Sequence, residues 1–366
     1  RHRSAYDHDG DGYSEIPKLH GQTIGFRSFL KTTTYSKLTF EYHHMEEFRR
    51  GGDLLNRPPH EANVAEQTEH SINGGGLKFD YFSPNENHRF NVFASAQHIN
   101  RDSYYGPGDR DPLDAYGNTT DLNWMAGSQY VYSFGKCIFM PSDLTAGIEF
   151  NQDKLEDNMW GYNRTVDQKV NIGSAFLQNE WKNDHWGFLI GGRLDKHNLI
   201  DHVIFSPRAN LRYNPTENIN LRFSYSSGFR APQAFDEDLH VENVGGNVAM
   251  VELADNLKEE RSQSLSASAD IYHRFGAFQV NFLVEGFYTK LSDVFALTDG
   301  EVVDGILTRT RHNASGAQVL GLTLEGKMAY LNKIQVQAGV TLQQSHYSKP
   351  HIWNKEAPAV KKMMRT

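Results

Sequence analysis

An acidic segment near the start of the chain combines the residue types that bind a hard cation. Residues 7–15 read Asp-His-Asp-Gly-Asp-Gly-Tyr-Ser-Glu. Ca²⁺ takes several oxygen ligands at about 2.3–2.6 Å, and glycine lets the backbone turn sharply enough for short carboxylates to converge. We therefore expect a calcium site here. Its expected ligands are Asp7, Asp9, Asp11, Glu15 and the main-chain carbonyl of Tyr13.

The spacing follows an EF-hand loop only in part. Asp7 would take position one and Gly12 the glycine position six. Position twelve supplies a bidentate Glu in an EF-hand, but here it is Lys18. The site therefore needs further oxygens from another loop or from water. A solvated acidic turn without a metal is the alternative.

Aromatic and charged residues in other predicted loops could contact a ligand. Aromatic rings stack on flat molecules, whereas charged side chains contact a polar periphery, and long loops on a rigid scaffold commonly carry such groups. An aromatic belt at a membrane interface is the alternative for the rings. The candidate binding residues are Arg49, Arg50, Tyr104, Tyr105, Phe235, Asp236, Glu237, Asp238 and His240.

No residue pattern indicates catalysis. The 17 histidines form no His-Glu-x-x-His motif, and no Gly-x-Ser-x-Gly turn is present. The single cysteine, Cys137, allows neither an internal disulfide nor a site with several thiolates. We therefore expect the protein not to be an enzyme.

Charge and hydropathy exclude two further classes. The chain carries 37 Lys and Arg against 45 Asp and Glu, a net charge of -8, with no long basic run. This composition argues against a nucleic-acid binder, whose affinity rests on neutralising phosphates. No apolar stretch of about 18 residues predicts a transmembrane helix. A membrane β-barrel remains compatible, because its strands alternate apolar and polar residues.

Strict alternation of apolar and polar residues runs along most of the chain. In 217–226, Ile219, Leu221 and Phe223 fall on one face and polar residues on the other. The preceding run 205–213 repeats the pattern, and 214–217 makes the turn, so the two form a hairpin. About fourteen strands are predicted in this way. They lie near 22–33, 37–48, 64–83, 89–101, 120–134, 144–156, 168–182, 185–198, 203–214, 218–230, 258–274, 277–292, 307–331 and 333–347.

Strand length and connection length favour a membrane barrel. Most predicted strands exceed ten residues, whereas strands of soluble sandwiches and propellers usually run about five or six. Short turns alternate with long connections, as they do between the periplasmic and extracellular rims of outer-membrane barrels. The connection 135–143 is longer, and 198–202 shorter, than this alternation predicts. A soluble propeller or β-helix is the alternative, but no repeat of blade length is present.

Several ordered segments resemble TonB-dependent outer-membrane receptors. Residues 221–232 end in Gly-Phe-Arg-Ala-Pro, which in those receptors leads into a long extracellular loop. Residues 256–262, Asn-Leu-Lys-Glu-Glu-Arg-Ser, are similar to the family's Asn-Leu-Lys-Pro-Glu-Arg-Ser, with Glu259 in place of Pro. Residues 313–325, 176–181 and 191–195 resemble further barrel strands. The resemblance covers about 170–345, and the earlier loops are similar to those of cobalamin receptors.

The resemblance implies an all-β, antiparallel up-and-down transmembrane barrel of about twenty-two strands, of which 1–366 would form a part. It also implies a separate plug domain and final barrel strands, which we expect to lie outside these residues. The expected location is the outer membrane of a Gram-negative bacterium. The expected partners are membrane lipid, lipopolysaccharide, the TonB complex acting through the plug, and a small metal chelate.

The implied function is TonB-dependent uptake of a scarce metal chelate. Cobalamin is slightly favoured over an iron-siderophore or haem, because acidic loops of cobalamin receptors bind calcium at the extracellular rim. A passive channel or porin is the main alternative, and an outer-membrane protease or lipase is a third. The long 231–257 loop argues against the porin, and the absence of a catalytic pattern argues against the enzyme.

Overall fold

The computed structural model describes residues 1–107, 115–239, 242–244, 247–303, 305–331, 333–352 and 360–363. About four fifths of them lie in β-strands. The strands in chain order are β1 (His2–Arg3), β2 (Ser14–Thr33), β3 (Ser36–Gly52), β4 (Val64–Phe82), β5 (His88–Pro107), β6 (Tyr116–Cys137), β7 (Met140–Met159), β8 (Arg164–Lys182), β9 (Trp186–His197), β10 (Ile204–Thr216), β11 (Ile219–Arg230), β12 (Glu242–Val244), β13 (Asn247–Leu253), β14 (Glu260–Phe275), β15 (Phe278–Ser292), β16 (Phe295–Val303), β17 (Ile306–Asn313), β18 (Ala317–Tyr330), β19 (Ile334–Ile352) and β20 (Val360–Met363). One short helix, α1 (Asp236–Leu239), and two 3-10 turns, Pro59–Glu61 and Trp160–Tyr162, join them.

Sixteen strands form one antiparallel sheet of up-and-down topology. Its order is β1 to β11, then β14, β15, β18, β19 and β20, so nearly every strand pairs with its neighbour in sequence. This arrangement confirms the predicted fold class. Among the described residues, the two outermost strands, β1 and β20, are not hydrogen-bonded to each other. Within the same residues, no helix is long and apolar enough to cross a membrane.

The alternation of residue types separates two faces of this sheet. Register places Leu211 opposite Phe223 and Asn210 opposite Ser224, as the predicted hairpin requires. Phe205 and Phe223 are 57% and 48% exposed, and neighbouring strands add further exposed apolar side chains on the same side. We call this side the outer face and the opposite, more polar side the lumen face. An apolar outer face is the pattern of a sheet whose outside meets lipid.

The connections fall on two rims. The short-turn rim carries two- to five-residue turns, and one of them corrects the sequence analysis. The expected long connection 135–143 is a two-residue turn, because Cys137 pairs with Met140 and Ile138 adopts a φ of 63° between them. The opposite edge, the long-loop rim, contains segments 53–63, 160–163, 198–203, 231–259 and 293–316.

Two of these long segments contain a second sheet that the sequence analysis missed. Strands β12, β13, β17 and β16 form a four-stranded sheet, with β13 and β17 parallel. The predicted single strand 307–331 is therefore wrong and consists of β17 and β18. The chain breaks between them because the Asn313 side chain donates to the main-chain oxygens of Lys258 and Asp293. A Cβ at Gly316 would also lie 2.2 Å from the Leu291 oxygen.

Buried apolar residues gather at the long-loop rim. Their largest cluster contains Ala65, Tyr104, Tyr105, Ala115, Met159, Tyr162 and Met250. These residues come from several barrel strands, from the 3-10 turn at 160–162 and from β13. The cluster therefore packs the second sheet onto the barrel wall, and the loops of this rim form a folded layer.

Candidate functional site

The structure brings the predicted calcium ligands together. The carboxylates of Asp7, Asp9, Asp11 and Glu15 each offer an oxygen, and these four atoms lie within 4.8 Å of one another. All four residues are exposed. In the described part of the chain, no other group of three or more His, Cys, Asp or Glu residues converges in this way. Four carboxylates at such distances repel one another, and a bound cation would relieve that repulsion.

Local hydrogen bonds hold the acidic loop in its turn. Asp7 accepts from the main-chain nitrogens of Gly10 at 2.7 Å and Gly12 at 2.9 Å. Both glycines have positive φ, 77° and 93°, which a residue with a Cβ adopts at a cost. Tyr13 follows the turn, and its main-chain nitrogen donates to Asp11 Oδ1 at 2.8 Å. Its carbonyl as a fifth ligand stays a prediction.

The acidic loop is joined to the long-loop rim. Ser14 pairs with Gly52, and its hydroxyl accepts from the Gly52 nitrogen at 3.1 Å. The next residue, Asp53, is 5% exposed and accepts from Asn63 and from the Val64 nitrogen. One unbroken set of contacts therefore runs from the cation candidate to loop 53–63.

The side chains of Arg49 and Arg50 lie on opposite faces of the sheet, because successive residues of a strand face opposite sides. Arg49 lies on the lumen face, where its Nε donates to Glu47 at 2.6 Å. Arg50 lies on the other face, is 1% exposed, and donates to the Gly51 and Asp53 oxygens. Arg50 is therefore a structural group of loop 53–63, and only Arg49 faces the lumen.

Tyr104 and Tyr105 are 2% and 6% exposed, although the sequence analysis expected aromatic rings open to a ligand. The Tyr104 ring packs edge-on against Tyr116, with centroids 4.9 Å apart. The main-chain oxygen of Tyr105 accepts from the Tyr162 hydroxyl at 2.5 Å. In this conformation both rings belong to the buried cluster at the long-loop rim.

Asp238 is also a structural group in this conformation. It is 2% exposed, its Oδ1 lies 3.0 Å from Arg311 Nη2, and its Oδ2 accepts from the Phe235 nitrogen at 2.9 Å. Arg164 donates to its main-chain oxygen and also to Asp157 at 3.1 Å. Neither Arg49 nor Arg50 pairs with it. A chain of charges thus joins the 231–259 loop to the wall strands β7 and β8.

Phe235 lies between two arginines. The Arg230 guanidinium is centred 3.8 Å from the Phe235 ring, and that of Arg311 is 5.2 Å away, while the Phe295 ring lies at 6.0 Å. Cation–π contacts of this kind hold a ring in place. Asp236 and Glu237 lie in α1 beside it. His240 lies outside the described residues.

Sequence reasoning missed Asp157, Arg164 and Arg311. Nothing local in the sequence marks these residues, because their partners are distant along the chain. Arg230 could have been found, since it stands in the Gly-Phe-Arg-Ala-Pro segment.

A groove of about 450 Å³ opens on the lumen face below the rim. Its charged or titratable lining residues are Glu47, Arg49, Glu66, His70 and Arg101, and Tyr105 also lines it. A second opening of about 600 Å³ adjoins the charge chain at Arg164 and Asp238. Arginine guanidinium groups suit carboxylate or catecholate-type oxygens, because they donate in a planar fork. The first groove combines two arginines with two glutamates and is a candidate site for a ligand with polar oxygen atoms.

Comparison with known proteins identifies the fold family. Residues 4–362 match the family model described as TonB dependent receptor-like, beta-barrel. No curated protein matches the chain. Similar solved structures include the siderophore receptor PirA from Pseudomonas aeruginosa, with 12% identity, a TM-score of 0.68, and 90% of this chain and 60% of that chain covered.

Two further structures give the same result. A mutant ferric enterobactin receptor, PfeA, from Pseudomonas aeruginosa has 12% identity, a TM-score of 0.70, and 94% and 54% coverage of the two chains. The alcaligin outer membrane receptor FauA from Bordetella pertussis has 13% identity, a TM-score of 0.61, and 92% and 55% coverage. The chain therefore spans about half to three fifths of the length of these structures.

The family is a class of receptors rather than of enzymes, and the structural likeness independently supports the fold. The chain belongs to the TonB-dependent receptors, as a portion of the β-barrel that these proteins place in the outer membrane of Gram-negative bacteria.

Proposed function

We propose that this chain is the barrel part of a receptor that takes up a metal chelate across the outer membrane with energy supplied through TonB. The observation that carries the proposal is the family match over residues 4–362. In the full-length receptor, TonB would act on a plug domain inside the barrel, and the outer face would contact membrane lipid and lipopolysaccharide.

The folded rim supports selective uptake over a passive channel. A porin needs only a polar lumen, whereas here the second sheet, α1 and the wall strands are joined through buried charges such as Asp238 and Arg311. Ordered loops above a lumen can recognise one ligand and exclude others. A passive channel is the alternative function. Uptake that does not need TonB would support it.

The substrate class we propose is a metal chelate with an anionic periphery. Arg49 and Arg101 line the lumen groove, and their guanidinium groups would contact its oxygens. The similar solved structures are described as a siderophore receptor, a ferric enterobactin receptor and an alcaligin outer membrane receptor, whereas the sequence resemblance favours cobalamin slightly. Both classes remain candidates for this chain. The loop that contains Phe235, α1 and His240 would contact the chelate from the extracellular side after a rearrangement of the rim.

Calcium is the proposed cation of the acidic loop. Support comes from the convergence of Asp7, Asp9, Asp11 and Glu15 and from the contact of this loop with Gly52. A bound Ca²⁺ would neutralise the cluster and stiffen the adjoining rim. It would take no part in any bond-breaking step, because uptake breaks none.

A competition experiment tests the substrate class. The full-length receptor would be titrated with a labelled cobalamin and a labelled ferric catecholate, each competed by the other. Arg49→Gln should weaken binding of the true substrate about tenfold, the value of one charge-assisted hydrogen bond. Arg27→Gln is the control, because Arg27 lies on the same face but towards the short-turn rim. Equal affinity in wild type and Arg49→Gln would show that Arg49 does not contact the substrate.

A further inference from the structure

An apolar groove crosses the outer face of the barrel wall between β7 and β10. Its volume is about 600 Å³, within the range of about 300–1,000 Å³ typical of small-molecule sites. Small residues, Ala175 and Gly192, lie between large ones. The large apolar residues of the lining are Leu144, Phe176, Leu177, Trp181, Ile190, Leu194 and Phe205.

Strand register shows that this groove opens outwards. Leu177 pairs with Gly192, and Ala175 pairs with Leu194, which in turn pairs with Phe205. Leu177 and Leu194 are 56% and 50% exposed. Directly paired residues of neighbouring strands point to the same side of a sheet, so these side chains all lie on the outer face.

Gly192 leaves room for the Phe205 ring at one end of the groove. A Cβ at that position would lie 2.5 Å from the Phe205 ring, so any other residue would displace the ring. The ring lies across the glycine and forms one end of the groove. The opposite end reaches Trp181, whose indole donates to the Cys137 oxygen at 3.0 Å next to the short-turn rim.

Two polar residues, Gln178 and Asn179, interrupt this apolar lining, and Asn179 is the one on the outer face. Asn179 pairs with Leu144 and Ile190 and therefore lies on the outer face. Its Nδ2 is buried and has no hydrogen-bond partner in the described part of the chain. A buried amide without a partner is costly in an apolar surrounding. Rotation about its terminal torsion, which has a broad range, would turn the amide towards the groove.

The height of Asn179 fits the boundary between lipid head groups and acyl chains. Trp181 lies two residues nearer the short-turn rim, in line with Phe188, and Trp186 stacks on Tyr213 with centroids 4.1 Å apart. Aromatic belts of this kind mark the membrane–water interface. Because Asn179 is two residues inside that belt, it would lie at the level of the lipid ester groups, with the apolar groove continuing from it towards the membrane centre.

We propose that this groove binds one diacyl phospholipid of the periplasmic leaflet. An acyl chain would lie between Leu177, Ile190 and Leu194, and the Asn179 amide would donate to an ester carbonyl of the same lipid. This inference rests on the contact of the outer face with lipid stated under the proposed function. A second copy of the chain or another membrane protein would fill the groove without using an ester acceptor.

Native mass spectrometry of the full-length receptor tests the proposal. The receptor would be purified in a mild detergent, supplied with phosphatidylethanolamine, and washed before the bound lipids are counted. Wild type should retain one phospholipid. Ala175→Phe, which fills the groove, should abolish retention, and Asn179→Leu should lower it about tenfold through loss of the hydrogen bond.

Ala267→Phe is the matched control, because Ala267 lies on the outer face away from the groove, opposite Phe223, and should retain the lipid. Equal retention by wild type and Ala175→Phe, or no retention by wild type, would overturn the proposal. A receptor dimer that Ala175→Phe dissociates would overturn it in favour of a second copy. Chelate binding by Ala175→Phe should be unchanged, so failure here is distinguishable from failure of the uptake proposal.

Discussion

Arg311 Nη2 lies 3.0 Å from Asp238 Oδ1, and the two side chains are 5% and 2% exposed. Arg311 is in β17, whereas Asp238 is in α1. The pair thus joins the two long segments that build the second sheet. Removal of one partner of a buried pair leaves a charge without its counterion in an environment of low dielectric.

We expect Arg311→Met to open the long-loop rim. Loss of one partner of a buried pair costs about 3–5 kcal/mol, so hydrogen exchange in 231–259 and 293–316 should become markedly faster. Arg309→Met is the control on the same strand, because its partner Asp299 is 57% exposed and such pairs contribute at most about 1 kcal/mol. Similar exchange in both variants would show that the buried pair does not hold the rim.

The outer face should reject charge more strongly than the lumen face. Phe223→Arg near the bilayer centre should cost about 2–4 kcal/mol of folding stability. Ser266→Arg should change it little, because Ser266 pairs with Ser224 on the lumen face at nearly the same height. Urea titration of the full-length receptor in lipid would measure both. Equal losses would contradict the assignment of the two faces.

Glu259 should make the rim sensitive to acid. Burial alone would raise the pKa of its carboxyl, but hydrogen bonds from Arg261 at 2.8 Å and its own main-chain nitrogen, together with the nearby His202, lower that pKa below the ordinary 4.5. The stabilisation is therefore present above pH 4.5 and is lost as the pH falls through the lowered value.

The free energy of unfolding of wild type should accordingly fall more steeply below pH 4.5 than that of Glu259→Gln, which has no carboxylate to protonate. Acid titrations of the two proteins under identical conditions would compare the slopes. Parallel curves would indicate that Glu259 contributes nothing to rim stability through its charge.

Calcium should bind to the acidic loop and strengthen chelate binding. The double variant Asp9→Ala, Asp11→Ala removes two of the four convergent carboxylates, so calorimetry should show loss of calcium binding. Asp201→Ala, an exposed rim carboxylate outside the cluster, is the control. If calcium raises chelate affinity, the chelate must raise calcium affinity by the same factor. Undiminished calcium binding by the double variant would exclude this loop.

The sequence predicted the barrel wall well because period-two alternation depends on adjacent residues. The expected hairpin 203–214 and 218–230 is β10 and β11 at Ile204–Thr216 and Ile219–Arg230. The convergence of Asp7, Asp9 and Asp11 also follows from local turn chemistry. In both cases the partners are close along the chain or share a regular repeat.

Features that depend on distant contacts could not be predicted in this way. The sequence predicts Arg50 as a polar residue of an exposed loop. In the structure Arg50 is buried and donates to the Asp53 oxygen of loop 53–63. The sequence predicts Asp238 as part of an exposed acidic run. In the structure it is buried against Arg311, which comes from another segment. The second sheet likewise pairs β13 with β17, and no local periodicity encodes such a pairing.

TonB-dependent uptake is the claim on which the functional account depends. The most direct measurement is accumulation of labelled cobalamin and of a labelled ferric siderophore by cells that express the full-length receptor, with and without functional TonB. We predict saturable accumulation of one of these chelates that disappears when TonB is removed. Accumulation that persists without TonB, does not saturate and extends to unrelated small solutes would contradict the account and identify a passive channel.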